Sequence, residues 1–311
     1  MAFPPYGTTA PTLSDYQASF AGLKLGGSSS PYSIMALEGL DLPTVLNGDL
    51  ARPREFGDFI GLDVLAGRDI VITGDVVSDG TSLAHALEVL AQATITTGNT
   101  ETPLWLQLPG LPLLSTLCRP RKRTSPLTVA WSGGLAPLAL GFHSTDPRLY
   151  GVAQQVSGGL GAHGSGLHFP ATFPASFGGG SSATVLTITN AGNVEMRPVL
   201  VLTGPMTNPV VQNATTGWAI SISNPTQTGY TLNAGDTLVI DTDTHAVTYT
   251  ASGTTIGSSR RNWVVAGSTW PNYVNGVAGL APGSNTVQFT SGDAGAVGGT
   301  LAIQYAPAYI I

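Results

Sequence analysis

From residue 184 onward one short pattern recurs, and it restricts the fold more than any other feature of the chain. Thr184-Val-Leu-Thr-Ile-Thr189, Trp218-Ala-Ile-Ser-Ile-Ser223, Asn285-Thr-Val-Gln-Phe289 and Thr300-Leu-Ala-Ile-Gln-Tyr305 each alternate apolar and polar side chains. A period of two gathers the apolar side chains on one face of an extended strand. Turn residues separate the segments: Asn190-Ala-Gly192, Asn208-Pro209, Thr216-Gly217, Ala234-Gly235-Asp236 and Pro282-Gly283. Pro198-Val-Leu-Val-Leu-Thr203 is apolar nearly throughout and fits a strand buried on both faces. About eight short strands at this spacing predict a β-sandwich of the jelly-roll or galectin-like kind.

The first half reads as mixed β with one helix. Leu62-Asp-Val-Leu65 and Asp69-Ile-Val-Ile-Thr-Gly-Asp-Val76 flank Ala66-Gly67-Arg68, the pattern of a hairpin with a short glycine-containing loop. Ser82 then stands as N-cap before Leu83-Ala-His-Ala-Leu-Glu-Val-Leu-Ala-Gln-Ala93, where Leu83, Leu87, Leu90 and Ala91 form one apolar stripe. Thr102–Leu108 and Leu127–Trp131 read as further strands. The expectation is a mainly β chain with one helix: an N-terminal β/α domain over 1–150, a Gly-rich linker or loop over 151–180, and a C-terminal β-sandwich over 181–311.

Charge divides the chain at the same place. Only 10% of the 311 residues are charged, against roughly 25% in ordinary soluble domains. Residues 1–150 hold 13 acidic and 9 basic side chains, whereas 151–311 hold 5 and 3. So sparse a charge suits a surface covered by other subunits or exposed outside the cell, and the depletion belongs chiefly to the C-terminal sandwich. Net charge of −6 opposes a dedicated nucleic-acid binder. The longest apolar run, Leu127–Phe142, is broken by Ser132, Gly133, Gly134 and Pro137, so no membrane insertion is expected. The N-terminus lacks the basic start and apolar run of a secretory signal. Cys118 is the single cysteine, which excludes an intrachain disulfide and reads as a small buried hydrophobe.

Motifs for chemistry are weak. Gly159-Leu-Gly-Ala-His-Gly164 matches G-x-G-x-x-G in letters, but no helix-forming sequence follows it. His163 and His168 lack a nearby cysteine or carboxylate to complete a metal shell. Asp241 and Asp243 flank one residue at a strand end, where Asp side chains commonly hold a turn. Neither a nucleophile elbow, an H-E-x-x-H helix nor a P-loop occurs. The expectation is therefore no enzyme, no cofactor and no metal. Asn213-Ala-Thr215 fits a glycosylation acceptor but has no export signal to accompany it.

Two groups remain as contact candidates. Arg119, Arg121, Lys122 and Arg123 form the one basic cluster, suited to a subunit contact or to nucleic acid passing nearby. Trp263, Trp270 and Tyr273 are candidates for a glycan or partner contact.

Gly192-Asn-Val-Glu-Met-Arg-Pro-Val-Leu-Val-Leu-Thr-Gly204 and Asn208-Pro-Val-Val-Gln-Asn-Ala-Thr-Thr-Gly217 resemble the C-terminal domain of siphovirus distal tail proteins. Leu232-Asn-Ala-Gly-Asp-Thr-Leu-Val-Ile-Asp241 and Leu280-Ala-Pro-Gly-Ser-Asn285, followed by Val287 and Phe289, continue the family's order. Gly67–Gly74, the helix at Leu83–Ala93 and the strand at Pro103–Leu108 look like its N-terminal belt domain. The resemblance implies a structural virion protein at the distal end of the tail. It would form a ring, commonly a homohexamer, that joins the tail tube protein to a tail-tip or tail-associated protein. A receptor-binding protein would dock outward, and DNA would pass transiently through the channel. The rival from another class is a carbohydrate-binding β-sandwich contacting host surface glycans through Trp263, Trp270 and Tyr273. A more distant one is a polysaccharide hydrolase using Asp241 and Asp243.

Overall fold

The structure is a computed structural model describing residues 9–77, 82–96, 98–160, 183–224, 231–272, 276–292 and 298–311. It divides into two compact units: residues up to Val152 together with Ala308–Ile311, and Ala153–Pro307. Both are built mainly from antiparallel strands, with one α-helix among the described residues, in keeping with the fold class read from the sequence. No described helix is long and apolar enough to cross a membrane.

In the first unit, β1 (Gln17–Phe20), β2 (Leu23–Leu25) and β3 (Ala36–Glu38) belong to a nine-stranded sheet. The chain then forms a narrow ladder of its own. β4 (Val45–Leu46) and β5 (Leu50–Ala51) run out, while β6 (Asp58–Phe59) and β7 (Val64–Leu65) run back. β5 pairs with β6 and β4 with β7, so residues 41–66 make a hairpin arm. β8 (Arg68–Val77), α1 (Leu83–Ala93), β9 (Thr102–Gln107), β10 (Leu114–Thr124), β11 (Leu135–Ser144) and β12 (Leu149–Tyr150) follow. The main strand order is β2-β1-β9-β10-β11-β8-β3.

The alternation of β8 buries Arg68, Ile70, Ile72 and Val76 on one face. These three apolar residues meet Leu104, Leu106, Leu140 and Phe142 in one core cluster, and the Phe20 and Phe142 rings lie 4.8 Å apart. The helix has the predicted bounds and buries Ala86 and Leu90, with Leu83 and Leu87 packed beside them. Its buried stripe passes through Ala86 rather than the predicted Ala91. Ser82 holds the N-cap position, although its hydroxyl makes no capping bond. Full burial of Leu90 contributes about 2 kcal/mol.

Two sequence expectations fail here. The hairpin across Ala66-Gly67-Arg68 does not form, because β7 pairs with β4 in the arm while β8 pairs with β3 and β11. Arg68, read as part of a turn, is only 2% exposed. Its Nε donates to the Pro147 carbonyl (2.9 Å) and its Nη1 to the carbonyls of Gly39 (2.9 Å) and Asp41 (3.0 Å), tying down the root of the arm. Burial lowers the guanidinium pKa and the Asp41 charge opposes that shift. Gly39 has φ +85, and a Cβ there would collide with the Asp69 carbonyl oxygen, so glycine alone fits. The second failure is Leu127–Trp131, which is not a strand. Residues Val129–Gly133 form a 3-10 turn with Leu127 and Val129 exposed, because the apolar side chains there have no sheet partner.

The second unit contains two antiparallel sheets. The larger has the order β13-β22-β15-β18-β19-β20, comprising β13 (Gln154–Gly159), β15 (Val199–Thr203), β18 (Thr237–Asp241), β19 (Val247–Thr250), β20 (Ser258–Ser259) and β22 (Thr300–Tyr305). The smaller is β14-β21-β16-β17, from β14 (Ala183–Asn190), β16 (Val210–Asn213), β17 (Ala219–Ser221) and β21 (Gly283–Thr290). The last strand, β23 (Ala308–Tyr309), returns to β12 of the first unit. The alternating segments bury Leu186, Ile188, Phe289, Leu301 and Ile303 as expected, and β15 is central, with Leu200 and Leu202 buried. The segment 151–180, read as a linker or loop, opens with β13, which pairs with β22 from Gln154 to Gly159. His163, His168 and Tyr273 lie outside the described residues.

Side-chain hydrogen bonds to backbone groups fix the ends of the sandwich. Trp218 Nε1 (2.6 Å), Asn213 Nδ2 (2.9 Å) and Thr216 Oγ1 (3.2 Å) all donate to the Gly279 carbonyl, while the Gly279 amide donates to Glu195 Oε2 (3.1 Å). A Cβ on Gly279 would strike the Met196 carbonyl oxygen. Asn213 is fully buried, so the Asn-Ala-Thr triplet presents no acceptor in the folded chain. Asp236 accepts hydrogen bonds from the amides of Ser252 and Asn233 and from the Tyr249 hydroxyl. Burial pushes its carboxyl pKa up, but these bonds together bring it below the usual carboxylate range.

Replacing Arg68 with Met leaves three carbonyls without their donor, and urea unfolding should show a loss of about 3 kcal/mol. Asp236 binds its proton more weakly folded than unfolded, so its contribution is present at neutral pH and disappears as pH falls through the carboxylate range. The Asp236→Asn variant should be less stable at pH 7 and show a shallower loss in thermal melts below about pH 4.

Candidate functional site

The basic cluster lies in the C-terminal half of β10, where the strand leaves the core. The register with β11 shifts between Pro120 and Lys122, leaving Arg121 as the extra residue of a bulge. The four cations separate into two pairs. Arg119 is 3.6 Å from Glu101 and mostly covered. Arg123 reaches the end of α1, where Nη1 donates to the Ala91 carbonyl (3.2 Å) and the Thr94 hydroxyl (2.8 Å). A cation there meets the negative end of the helix dipole. Arg121 and Lys122 are exposed, and neither forms an ion pair with another described residue.

Arg121, Lys122 and Arg123 border a groove of about 560 Å³ against Ala91, Gln92 and Ile95 at the end of α1. A second hollow of about 500 Å³ shares Gln92, Ile95 and Pro120 and continues to Phe20 and Leu23. Together they form a trough of mixed lining that offers Ile95, Pro120 and Leu23 beside a basic rim. Such a trough suits a chain segment carrying both apolar and acidic side chains. No cluster of three His, Cys, Asp or Glu that could hold a metal occurs among the described residues. Cys118 is completely buried beneath the same strand; burial and the Glu101 charge push its thiol pKa far up, so it remains protonated.

In the second unit, Trp263 is 7% exposed and packs 5.1 Å from the Tyr249 ring. The Arg260 guanidinium lies 5.5 Å from the Trp263 ring and 5.7 Å from that of Tyr249. Trp270 is half-buried, with the His245 ring at 4.5 Å and the Arg261 guanidinium at 4.3 Å. Burial and the Arg261 charge both lower the His245 pKa, so the imidazole is neutral at pH 7. The two tryptophans are therefore engaged with the chain's own side chains. Asp241 Oδ1 accepts the amides of Asp243 (2.9 Å) and Thr244 (3.2 Å), and Asp243 pairs with Arg197 at 2.8 Å. Asp241 thus holds the turn and Asp243 faces Arg197.

Sequence reasoning assigned no role to the arm, which exposes Leu50, Phe56, Phe59, Ile60 and Leu62. The available signal was large apolar residues interleaved with five acids and two arginines over 41–66, without the period of a buried strand.

Arg123→Ala should fray the end of α1 and lower stability by about 1 kcal/mol, whereas Arg121→Ala should leave the unfolding curve unchanged. Equal losses in a chemical denaturation series would refute the division into structural and free cations.

Residues 191–309 match the family model of the siphovirus-type tail component, C-terminal domain. No curated protein sequence matches the chain significantly. Among solved structures, the chain resembles SPP1 Dit, described as a paradigm of the hub adsorption apparatus in phages infecting Gram-positive bacteria. The TM-score is 0.58 at 14% identity, covering 94% of this chain and 98% of that one. It also resembles a chain of the phage P2 baseplate in its activated conformation with Ca, with TM-score 0.50 and 10% identity over 90% and 92% of the two chains. The corresponding baseplate structure with Sr gives the same score and identity over 93% and 96%. At these identities the solved structures establish the fold, and the family model bears on residues 191–309 alone.

Proposed function

We propose, from the premise that residues 191–309 are a siphovirus-type tail component C-terminal domain, that this chain is a structural protein of the virion at the distal end of a long phage tail. It acts as an adaptor, forming a ring that joins the tail tube protein to a tail-tip protein and to host-recognition proteins. The observation that carries this reading is a hub-protein fold matched over 94% of the chain. Its action is geometric: identical copies repeat one head-to-tail interface until the ring closes, commonly at six, leaving a channel for DNA. Arg121 and Lys122 are the subunit-contact residues of the basic cluster, with Arg119 and Arg123 supporting the strand and helix that present them.

Particle images of the purified full chain should show closed rings with a central hole. Dispersed single chains at every concentration would overturn this reading.

A further inference from the structure

The arm and the groove are complementary in character, and they are separate patches of the first unit. Phe56 and Ile60 are almost wholly exposed, and Leu50, Phe59 and Leu62 are exposed beside them. Clustered apolar exposure of this kind marks a contact surface. The arm's ladder has only four residue pairs, and an isolated two-stranded hairpin is marginally stable in water. A covering partner would supply the missing burial.

Charge identifies the partner. Residues 41–66 carry Asp41, Asp49, Glu55, Asp58 and Asp63 against Arg52 and Arg54. Arg52 lies 5.1 Å from the centroid of the arm's own Phe59 ring, which leaves the acids in excess. The trough between α1 and β10 has the opposite character: Arg121 and Lys122 on its rim, the apolar side chains of Ile95 and Pro120 beside them, and Glu88 as its one acid, 3.9 Å from His85. A nucleic-acid phosphate would meet the basic rim but leave these apolar side chains unexplained. No residue of the arm lines the groove within one chain.

We infer that the arm of one copy seats its exposed apolar side chains in the α1–β10 groove of the next copy, with Arg121 and Lys122 pairing to arm carboxylates. Each copy then offers one arm and one groove. The contact joins two different patches, the kind of interface that propagates around a ring. Arg68 anchors the arm's root to fixed carbonyls and so limits its direction of departure. This inference rests on the ring reading above and names the surfaces that close the ring.

The test mixes full-length chains carrying Phe56→Cys with chains carrying Ile95→Cys and adds a short bismaleimide cross-linker; native Cys118 is buried and silent. A mixed cross-linked dimer is expected, and neither variant alone should give it. The Arg121→Glu/Lys122→Glu variant should weaken ring formation by on the order of tenfold or more in sedimentation, while its circular dichroism spectrum stays that of the folded wild-type chain. Adding Glu55→Lys/Asp58→Lys should restore it. Phe56→Ser, at an exposed position, provides a second route to the same loss. Wild-type rings without the mixed cross-link, unaffected by charge reversal, would overturn the arm–groove contact and leave the ring standing. Cross-linking only within a single chain carrying both cysteines would assign the groove to its own arm and overturn the second-copy contact. A wild-type chain that stays monomeric would overturn the ring reading and this contact with it.

Discussion

Strand β10 pairs with β9 from Leu114 to Cys118 and with β11 from Arg119 to Thr124, so one continuous backbone stitches together the two parts of the nine-stranded sheet. Neither part can shift its register without breaking hydrogen bonds along the same eleven residues. A slip of one residue would exchange the faces of Leu114, Thr116 and Cys118 with those of Ser115 and Leu117 and unmake the packing on both sides of the strand. The strand changes character at the bulge near Pro120. Before it, side chains are chosen for burial; after it, charged side chains border a groove. Packing and contact chemistry thus occupy successive stretches of one strand, and the core fixes where the groove lies.

The second unit solves a different problem, because its sequence contains few ions with which to satisfy buried polar groups. Asn190, Asn213 and Asn285 are buried beside backbone carbonyls, and Thr242 Oγ1 donates to the Pro198 carbonyl. Amide and hydroxyl hydrogen bonds carry much of this work, beside the Arg197–Asp243 pair and the Asp236 carboxylate. These bonds depend little on ionic strength, unlike exposed ion pairs. Sparse charge is consequently a property of how this unit is held together as well as of its surface.

Much of the sandwich was legible because its strands have one buried face. Thr184–Thr189 and Thr300–Tyr305 advertise themselves by alternation, and the helix at Leu83–Ala93 by its stripe. Strand β13 was hidden, since Gln154-Gln-Val-Ser-Gly-Gly159 carries almost no apolar signal and is held by pairing with β22. The arm was hidden for the converse reason. Val64 and Leu65 look like a core strand in sequence, but their partners are Leu46 and Val45, and no core lies beneath them. Arg68 misled because an arginine beside a glycine reads as a solvated turn; only the three carbonyls converging on it make burial tolerable. The basic cluster was visible as a run of charge. Its division into Arg119 and Arg123, which brace the fold, and Arg121 and Lys122, which do not, depends on Glu101 and the end of α1, both distant in sequence.

The single cysteine has a consequence for where such a chain can operate. Cys118 is sealed in the core as a protonated thiol, and no second sulfhydryl exists to pair with it. The state of this sulfur is therefore the same in reducing and in oxidising surroundings. A protein built this way needs no oxidative maturation and carries no exposed thiol to be capped or cross-linked. It passes between the two redox environments unchanged.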